Sequence, residues 1–243
     1  MNSPVLFFKQ GTCSLGSVIT AEWSGIPYRL CRITDESINS PDYLCINALG
    51  EVPALQADDI FLSESIAILQ SLGKQAPSRN LTFAQDTLEF DKMNQVLSYL
   101  ATSFKGSFHP LFEDVDITWE RKQKVIENIR SQFQYVERYL VGEGMIFGQK
   151  TIADAYFFGL ARWGEDLFNI KKEFPCIAAF QEEMLQDRGV HFALAMEEGK
   201  PAISMGQFQG MVQLKSPEAH LGADFPGLQI NRKTGQNEDL IAS

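Results

Sequence analysis

Strand-length and helix-length patterns alternate over the first part of the chain. Val5–Phe8 is a continuous apolar run, residues 15–23 carry apolar side chains at helical spacing, and residues 28–33 return to strand length. Strand, helix and strand in this order predict a βαβ unit with parallel strands. Residues 54–56 and 60–62 then predict an antiparallel hairpin with a tight turn.

The second part of the chain shows helical periodicity alone. Its apolar residues recur at three- and four-residue steps, as on the buried face of an amphipathic helix. Thr151 and Asp154 have the spacing of a capping box, and Pro175 suits the first turn of a helix. The helices predicted in this part span residues 88–104, 125–140, 155–167 and 176–185.

A polar, proline-containing stretch at residues 74–80 separates these two patterns and is typical of a linker. We therefore expect an α/β domain of the form βαβ-ββα at residues 1–76 and an all-helical domain at residues 84–200. Beyond Lys200 the periodicity disappears, and glycines and prolines recur. Residues 201–243 are predicted to form a tail that is either flexible or draped over the surface.

Composition and charge exclude several classes of partner. The chain carries a formal net charge of −10 at pH 7 and a pI near 4.8, so it lacks the basic face that nucleic acid or an anionic membrane requires. The start of the chain has neither a signal-peptide pattern nor an apolar run of spanning length, which predicts a cytoplasmic location. The four cysteines and three histidines show no metal-ligand spacing, so we expect reduced thiols and no metal.

Cys13 is the first candidate for chemistry. It follows a strand and a Gly-Thr turn and precedes the predicted helix 15–23, where the helix dipole lowers the pKa of a thiol and favours the thiolate. The turn resembles a thioredoxin-type redox turn without its second cysteine, because Gly16 occupies that place. A single thiol forms a mixed disulfide with a small thiol but no internal disulfide. The alternative is that Cys13 is an ordinary small buried residue.

Two backbone features indicate a binding site for a small peptide. Pro53 cannot donate to a strand ladder, so it belongs at the start of a strand, where the cis form also occurs, and it leaves the Val52 backbone free. Glu64 and Ser65 open the helix predicted at residues 64–72, whose unpaired N–H groups attract a carboxylate. The alternatives are an ordinary turn proline and simple helix capping.

The region around the end of the first long helix holds the remaining candidates. His109 faces either a cleft or solvent. Aromatic side chains are suited to line an apolar pocket, although at helical spacing they more often belong to a core. The aromatic residues in question are Tyr99, Phe104, Phe108, Phe112 and Trp163.

Four segments, taken in order along the chain, resemble a known family. They are residues 8–15 (FKQGTCSL), 47–55 (NALGEVPAL), 62–69 (LSESIAIL) and 148–155 (GQKTIADA). The family is that of the cytosolic glutathione transferases, with the bacterial beta class the nearest in appearance, and the resemblance covers about residues 5–195. It implies a thioredoxin-like N-terminal domain that holds glutathione as co-substrate, a helical domain that receives an electrophile, and a homodimer.

The resemblance also implies roles for individual residues. Cys13 matches the cysteine that meets the glutathione sulfur, and the residues implied in catalysis are Cys13 and Ser14 beside it. Val52 would pair through its backbone with the cysteinyl unit, and Glu64-Ser65 would bind the γ-glutamyl end. The residues implied in glutathione binding are Val52, Pro53, Glu64, Ser65 and Lys105. Those implied in the substrate pocket are Phe104, Phe108, His109 and Trp163.

Two positions depart from the family pattern. Lys105 stands where the beta class has a histidine, and the loop at residues 34–38 is acidic where the family carries lysines near the glycyl carboxylate. The function expected from the resemblance is conjugation of glutathione to electrophilic small molecules, as in detoxification, or thiol–disulfide exchange through Cys13. The alternative is a catalytically weak glutathione transferase-like protein that binds or regulates.

Overall fold

The structure, a computed structural model, describes residues 3–58, 60–113, 116–139 and 144–214. The strands are β1 (Val5–Phe8), β2 (Pro27–Arg32), β3 (Ala54–Ala57), β4 (Ile60–Leu62) and β5 (Gln207–Val212). The helices are α1 (Leu15–Ser24), α2 (Pro41–Leu44), α3 (Ser65–Lys74), α4 (Leu88–Tyr99), α5 (Lys105–Glu113), α6 (Trp119–Tyr139), α7 (Ile152–Ala161), α8 (Ile170–Glu173), α9 (Pro175–Met184) and α10 (Arg188–Glu198).

The sheet has the strand order β4-β3-β1-β2-β5. β1 runs parallel to β2 and antiparallel to β3, and β3 runs antiparallel to β4, so the predicted βαβ unit and hairpin are confirmed. Side chains of β1 alternate between the two faces. Leu6 and Phe8 pack into the large core with α1 and α3, whereas Val5 and Phe7 pack with Tyr43 of α2. Both faces of β1 are therefore buried, which fixes the loop that follows it.

The segment after α10 extends this sheet by one strand. β5 pairs in parallel with β2 and sets Phe208 opposite Tyr28, with the two ring centroids 5.6 Å apart. The sequence predicted no element after Lys200, so β5 is a feature that the pattern analysis missed. Residues 215–243, the remainder of the predicted tail, lie outside the described residues.

Helix α7 is buried along its whole length and packs across α1. A Cβ atom on Gly16 would lie 2.8 Å from the carbonyl oxygen of Ala155, so glycine is required for this close approach. The predicted capping box is present: the Asp154 carboxylate accepts hydrogen bonds from the backbone N–H groups of Thr151 (2.8 Å) and Ile146 (2.7 Å). Burial raises the pKa of Asp154 to about 6, against the opposing effect of these hydrogen bonds.

The helical part differs from the prediction at several places. The helix predicted at residues 88–104 consists of α4 followed by a π-helical segment, Leu100–Phe104, which runs on into α5. Helices α8 and α10 were not predicted, and α7 ends at Ala161 rather than at residue 167. Within the described ranges no helix is long and apolar enough to cross a membrane.

Candidate active site

Cys13 lies in the turn between β1 and α1, beneath the cis peptide bond that joins Val52 to Pro53. Its side chain is 3% exposed. The Sγ atom is 3.7 Å from the carbonyl oxygen of Val52 and 3.7 Å from Oγ of Ser65. The structure therefore brings together four residues that the sequence placed in a glutathione site.

The expectation of a low pKa for Cys13 is wrong. Burial raises the pKa of its thiol above the ordinary value, and this effect is larger than the opposing charge of Lys105 and the hydrogen bond from Ser65. The stabilisation of a thiolate by the helix dipole at the start of α1 does not offset this desolvation. Cys13 is therefore a neutral thiol near pH 7, with a hydrogen to donate.

Ser14 is fully buried and is directed into the turn rather than into the cleft. Its Oγ atom accepts a hydrogen bond from the backbone N–H of Lys9 (3.1 Å) and lies 2.7 Å from Oγ1 of Thr12. These contacts hold the chain between β1 and α1 in a closed turn. Ser14 thus supports the position of Cys13.

The ion pair between Arg162 and Glu197, which no sequence pattern predicted, stabilises the same turn from the side of the helical domain. Arg162 donates from Nη1 to the Glu197 carboxylate at 2.6 Å and from Nη2 to the Thr12 carbonyl oxygen at 3.0 Å. Next to it, Trp163 donates from Nε1 to the carbonyl oxygen of Gly11 at 2.9 Å. No local pattern links Arg162 and Trp163 to the turn, because about 150 positions separate them from Thr12 and Gly11 along the chain.

Glu64 and Ser65 stand at the start of α3, next to the cis-proline. Glu64 is exposed, has a φ of +69° and makes no capping hydrogen bond with its side chain. Simple capping is therefore not the role of the Glu64 side chain. Ser65 is buried and marks the first helical residue, so the unpaired N–H groups of α3 lie beside Pro53.

A cleft of about 430 Å³ opens in front of Cys13. Lys9, Ile38 and Glu51 lie on the side of the α/β domain, and Lys105 of α5 faces them. The aromatic end of the cleft is lined by His109, Phe112 and Trp163. His109 is exposed to solvent and also lines the cleft, so its side chain meets both predicted descriptions, facing a cleft and facing solvent.

Phe104 and Phe108 do not line the cleft, which corrects the prediction that they belong to the substrate pocket. They are 0% and 1% exposed and pack against Phe133 in the core. Phe112, one turn after Phe108, is 61% exposed and forms the wall instead, with its ring centroid 5.2 Å from that of Trp163.

A second, smaller cavity at the start of α3 continues the cleft. Pro53, Glu64 and Ser65 line it, and Glu51, Val52 and Lys105 are common to both spaces. The two together form a groove from the helix N-terminus, past the free edge at Val52 and the Cys13 thiol, to the aromatic wall.

The titratable groups of the groove bear on the kind of ligand that it binds. Across the described ranges, no group of three or more His, Cys, Asp or Glu side chains is placed to hold a metal ion. The groove presents the N-terminus of α3 near Pro53 and, in the larger cleft, the Lys9 ammonium, which is paired with Asp35. These groups suit a small peptide with an acid at each end.

A thioredoxin-like domain with a cis-proline beside a single thiol, followed by a helical domain that closes a cleft over that thiol, defines the class of protein. The family model for the N-terminal domain of glutathione S-transferase matches residues 11–75. Glutathione S-transferase GstA of Escherichia coli O157:H7 is 36% identical over 197 residues, which cover 79% of this chain and 98% of that protein. The chain therefore belongs to the glutathione transferase family.

Solved structures agree with this assignment. A sphingomonad glutathione S-transferase complexed with glutathione is 25% identical, with a TM-score of 0.73, and the match covers 80% of this chain and 98% of that one. The bacterial beta class glutathione S-transferase of Sphingomonas chungbukensis is also 25% identical, with a TM-score of 0.73, and covers 79% and 98% of the two chains.

Proposed function

We propose that this chain conjugates glutathione to electrophilic small molecules and that it uses Cys13 as a neutral hydrogen-bond donor. The observation that carries the proposal is the continuous groove at Val52, because it joins the N-terminus of α3 to a cleft with an aromatic wall. The relative from a sphingomonad, which shares the fold, is described as complexed with glutathione. Glutathione is thus the co-substrate, and the aromatic end receives the electrophile.

Each end of glutathione meets a complementary group in this proposal. The γ-glutamyl carboxylate accepts hydrogen bonds from Ser65 and the N–H groups of α3, and the Glu64 carboxylate pairs with the γ-glutamyl amine. Val52 pairs through its backbone with the cysteinyl unit. Lys9, which reaches the loop after β2 through its ion pair with Asp35, supplies a cation for the glycyl carboxylate in place of the family's loop lysines.

The chemical step then runs on the glutathione sulfur. The glutathione thiol releases its proton to water, and the Cys13 S–H and the Lys105 ammonium stabilise the resulting thiolate. The thiolate electron pair forms the new carbon–sulfur bond, and the leaving group departs with the electron pair of the bond that breaks. Thiol–disulfide exchange needs the thiolate of Cys13 itself, which its burial disfavours.

Further assignments complete the proposal. Residues 1–76 act as the glutathione-binding domain, and residues 84–200 act as the substrate domain. The protein acts as a homodimer in the cytoplasm.

The experiment compares two reactions in the full-length chain and in Cys13→Ala. Conjugation is followed with glutathione and an aromatic halide, and exchange with glutathione and a small disulfide. Cys45→Ala, which removes a partly buried thiol away from the groove, is the matched control. We expect Cys13→Ala to lower the conjugation rate by roughly 10- to 150-fold, since one hydrogen bond to an anion contributes about 1.5–3 kcal/mol.

Two results would overturn the proposal. Disulfide exchange that exceeds conjugation and vanishes in Cys13→Ala would identify the covalent route instead. Absence of both reactions together with absence of glutathione binding at millimolar concentration would identify the non-enzymatic alternative.

A further inference from the structure

A further cavity, of about 560 Å³ and separate from the groove, lies at the other end of α1 from Cys13. Helix α1 has ten residues, so the two spaces are separated by roughly 15 Å of helix. The segment after α10 forms part of its wall through Met205, and the interdomain linker contributes Arg79. Nothing in the proposed transferase reaction uses this cavity.

The acidic side chains at this cavity are already occupied. Asp187 accepts hydrogen bonds from Nε1 of Trp23 at 2.8 Å and from the backbone N–H of Val190 at 3.0 Å, and it pairs with Lys150. The Lys150 ammonium also lies 4.9 Å from the centroid of the Trp23 ring. Lys150 and Asp187 therefore neutralise each other and form a fixed floor.

The Glu22 carboxylate is equally engaged. It is buried and accepts hydrogen bonds from Ser204 Oγ (2.6 Å) and from the backbone N–H groups of Met205 (2.8 Å) and Gly206 (3.0 Å), as well as from the Tyr28 hydroxyl. These donors use both oxygens of Glu22. It therefore holds the wall in place but offers no acceptor to a cation in the cavity.

Two arginines remain without such partners. Arg79 and Arg188 both line the cavity and are exposed, and neither guanidinium group forms a hydrogen bond or ion pair with any residue of the described ranges. In a chain with a net charge of −10, this cavity is an exception, because Arg79, Arg188 and Lys150 outnumber Glu22 and Asp187 in its lining. A guanidinium group binds carboxylate or phosphate oxygens in a bidentate manner.

The structure assigns to this cavity a binding site for a small oxyanion, a carboxylate or phosphate group, held by Arg79 and Arg188 over the Trp23–Lys150 floor. The site is independent of the glutathione groove and does not rest on the proposed transferase reaction. The segment that carries Met205 completes it, so docking of this segment to Glu22 and anion binding are coupled.

The test is a two-dimensional NMR titration of the ¹⁵N-labelled full chain with sodium phosphate and, separately, with sodium succinate. Each titration is compared with sodium chloride at equal ionic strength, which removes general screening. The reporters are the Trp23 indole N–H and the backbone N–H of Gly189, and the Trp163 indole N–H reports on the cleft. We expect saturable shifts at Trp23 and Gly189 but not at Trp163, and the tighter of the two probes identifies the oxyanion.

The decisive variant is Arg79→Ala/Arg188→Ala, matched in charge by Lys124→Ala/Arg138→Ala on the exposed face of α6. The first should raise the half-saturating concentration at least tenfold, and the second should leave it unchanged. Equal half-saturation in the two variants, shifts reproduced by chloride, or no saturable shift with either probe would each overturn the assignment. Unchanged resonances elsewhere in the spectrum verify that both variants are folded.

Discussion

Removal of the Glu22 carboxylate should release β5 from the sheet. In Glu22→Ala the Tyr28 and Ser204 hydroxyls can turn to other acceptors, but the backbone N–H groups of Met205 and Gly206 lose the carboxylate oxygen that accepts from them. Both N–H groups lie where the segment enters the buried contact with α1. The variant therefore removes the polar contact that Glu22 makes with the segment before β5.

The size of the effect follows from these two donors. Both donors are only partly buried, so we take the lower end of the range of about 1–3 kcal/mol for a donor left without a partner, which gives about 2 kcal/mol for the pair. Since about 1.4 kcal/mol corresponds to a factor of ten in an equilibrium constant, opening of β5 should become at least tenfold more frequent.

The assay is amide hydrogen exchange across Gln207–Val212, with β1 as an internal reference. Glu22→Gln is the sharp control, because its amide oxygen can accept from both backbone N–H groups while its amide nitrogen donates to the two hydroxyls. We expect faster exchange in Glu22→Ala and near-native exchange in Glu22→Gln and in the exposed Glu120→Gln. The reasoning is refuted if exchange in Glu22→Ala is unchanged, or if Glu22→Gln releases β5 to the same extent.

Two further predictions concern buried charges. Because the pKa of Asp154 is raised to about 6 in the folded state, its carboxyl contributes stability below pH 4 that is lost as the pH rises through 6, about 3 kcal/mol in all. The free energy of unfolding, measured with urea at pH 4 and at pH 7, should show this change in the native chain and in the exposed-site control Asp166→Asn, but not in Asp154→Asn. The prediction is contradicted if the difference between the native chain and Asp154→Asn is the same at both pH values. Arg162→Met leaves Glu197 buried and unpaired and should cost about 3–5 kcal/mol, whereas Arg162→Met/Glu197→Met should cost much less. Equal losses in the single and double variants would show that the ion pair is not the cause.

Much of the α/β part could be predicted because each element carries its own local signal. The apolar run of β1 and the helical spacing of α1 lie within a residue of their predicted positions. β5 has no such signal, since its side chains alternate between exposed and half-buried and it contains Gly210. Its pairing with β2 and the Glu22 anchor specify it, and both are contacts between residues about 180 positions apart.

The candidate site divides in the same way. Val52-Pro53 and Glu64-Ser65 act through the backbone, at a strand start and a helix start, and such positions are visible in sequence. The Arg162 contact with Thr12 depends on how two domains pack, so no spacing rule reveals it. Helical spacing also cannot distinguish the core face that carries Phe108 from the cleft wall one turn later.

For Cys13 the local sequence predicted a lowered pKa, whereas desolvation raises it. A helix start favours a thiolate, but the sequence did not show that β3, α3 and α7 would enclose the sulfur so completely. In the proposed reaction this burial favours the neutral thiol of Cys13, and with it conjugation over disulfide exchange.

A crystal structure of the full chain with glutathione bound tests the central claim most directly. The account predicts an extended peptide along Val52, with its γ-glutamyl carboxylate at Ser65 and its sulfur in van der Waals contact with the Cys13 sulfur but not bonded to it. An empty groove at millimolar glutathione, a peptide bound elsewhere, or a disulfide between glutathione and Cys13 would contradict it.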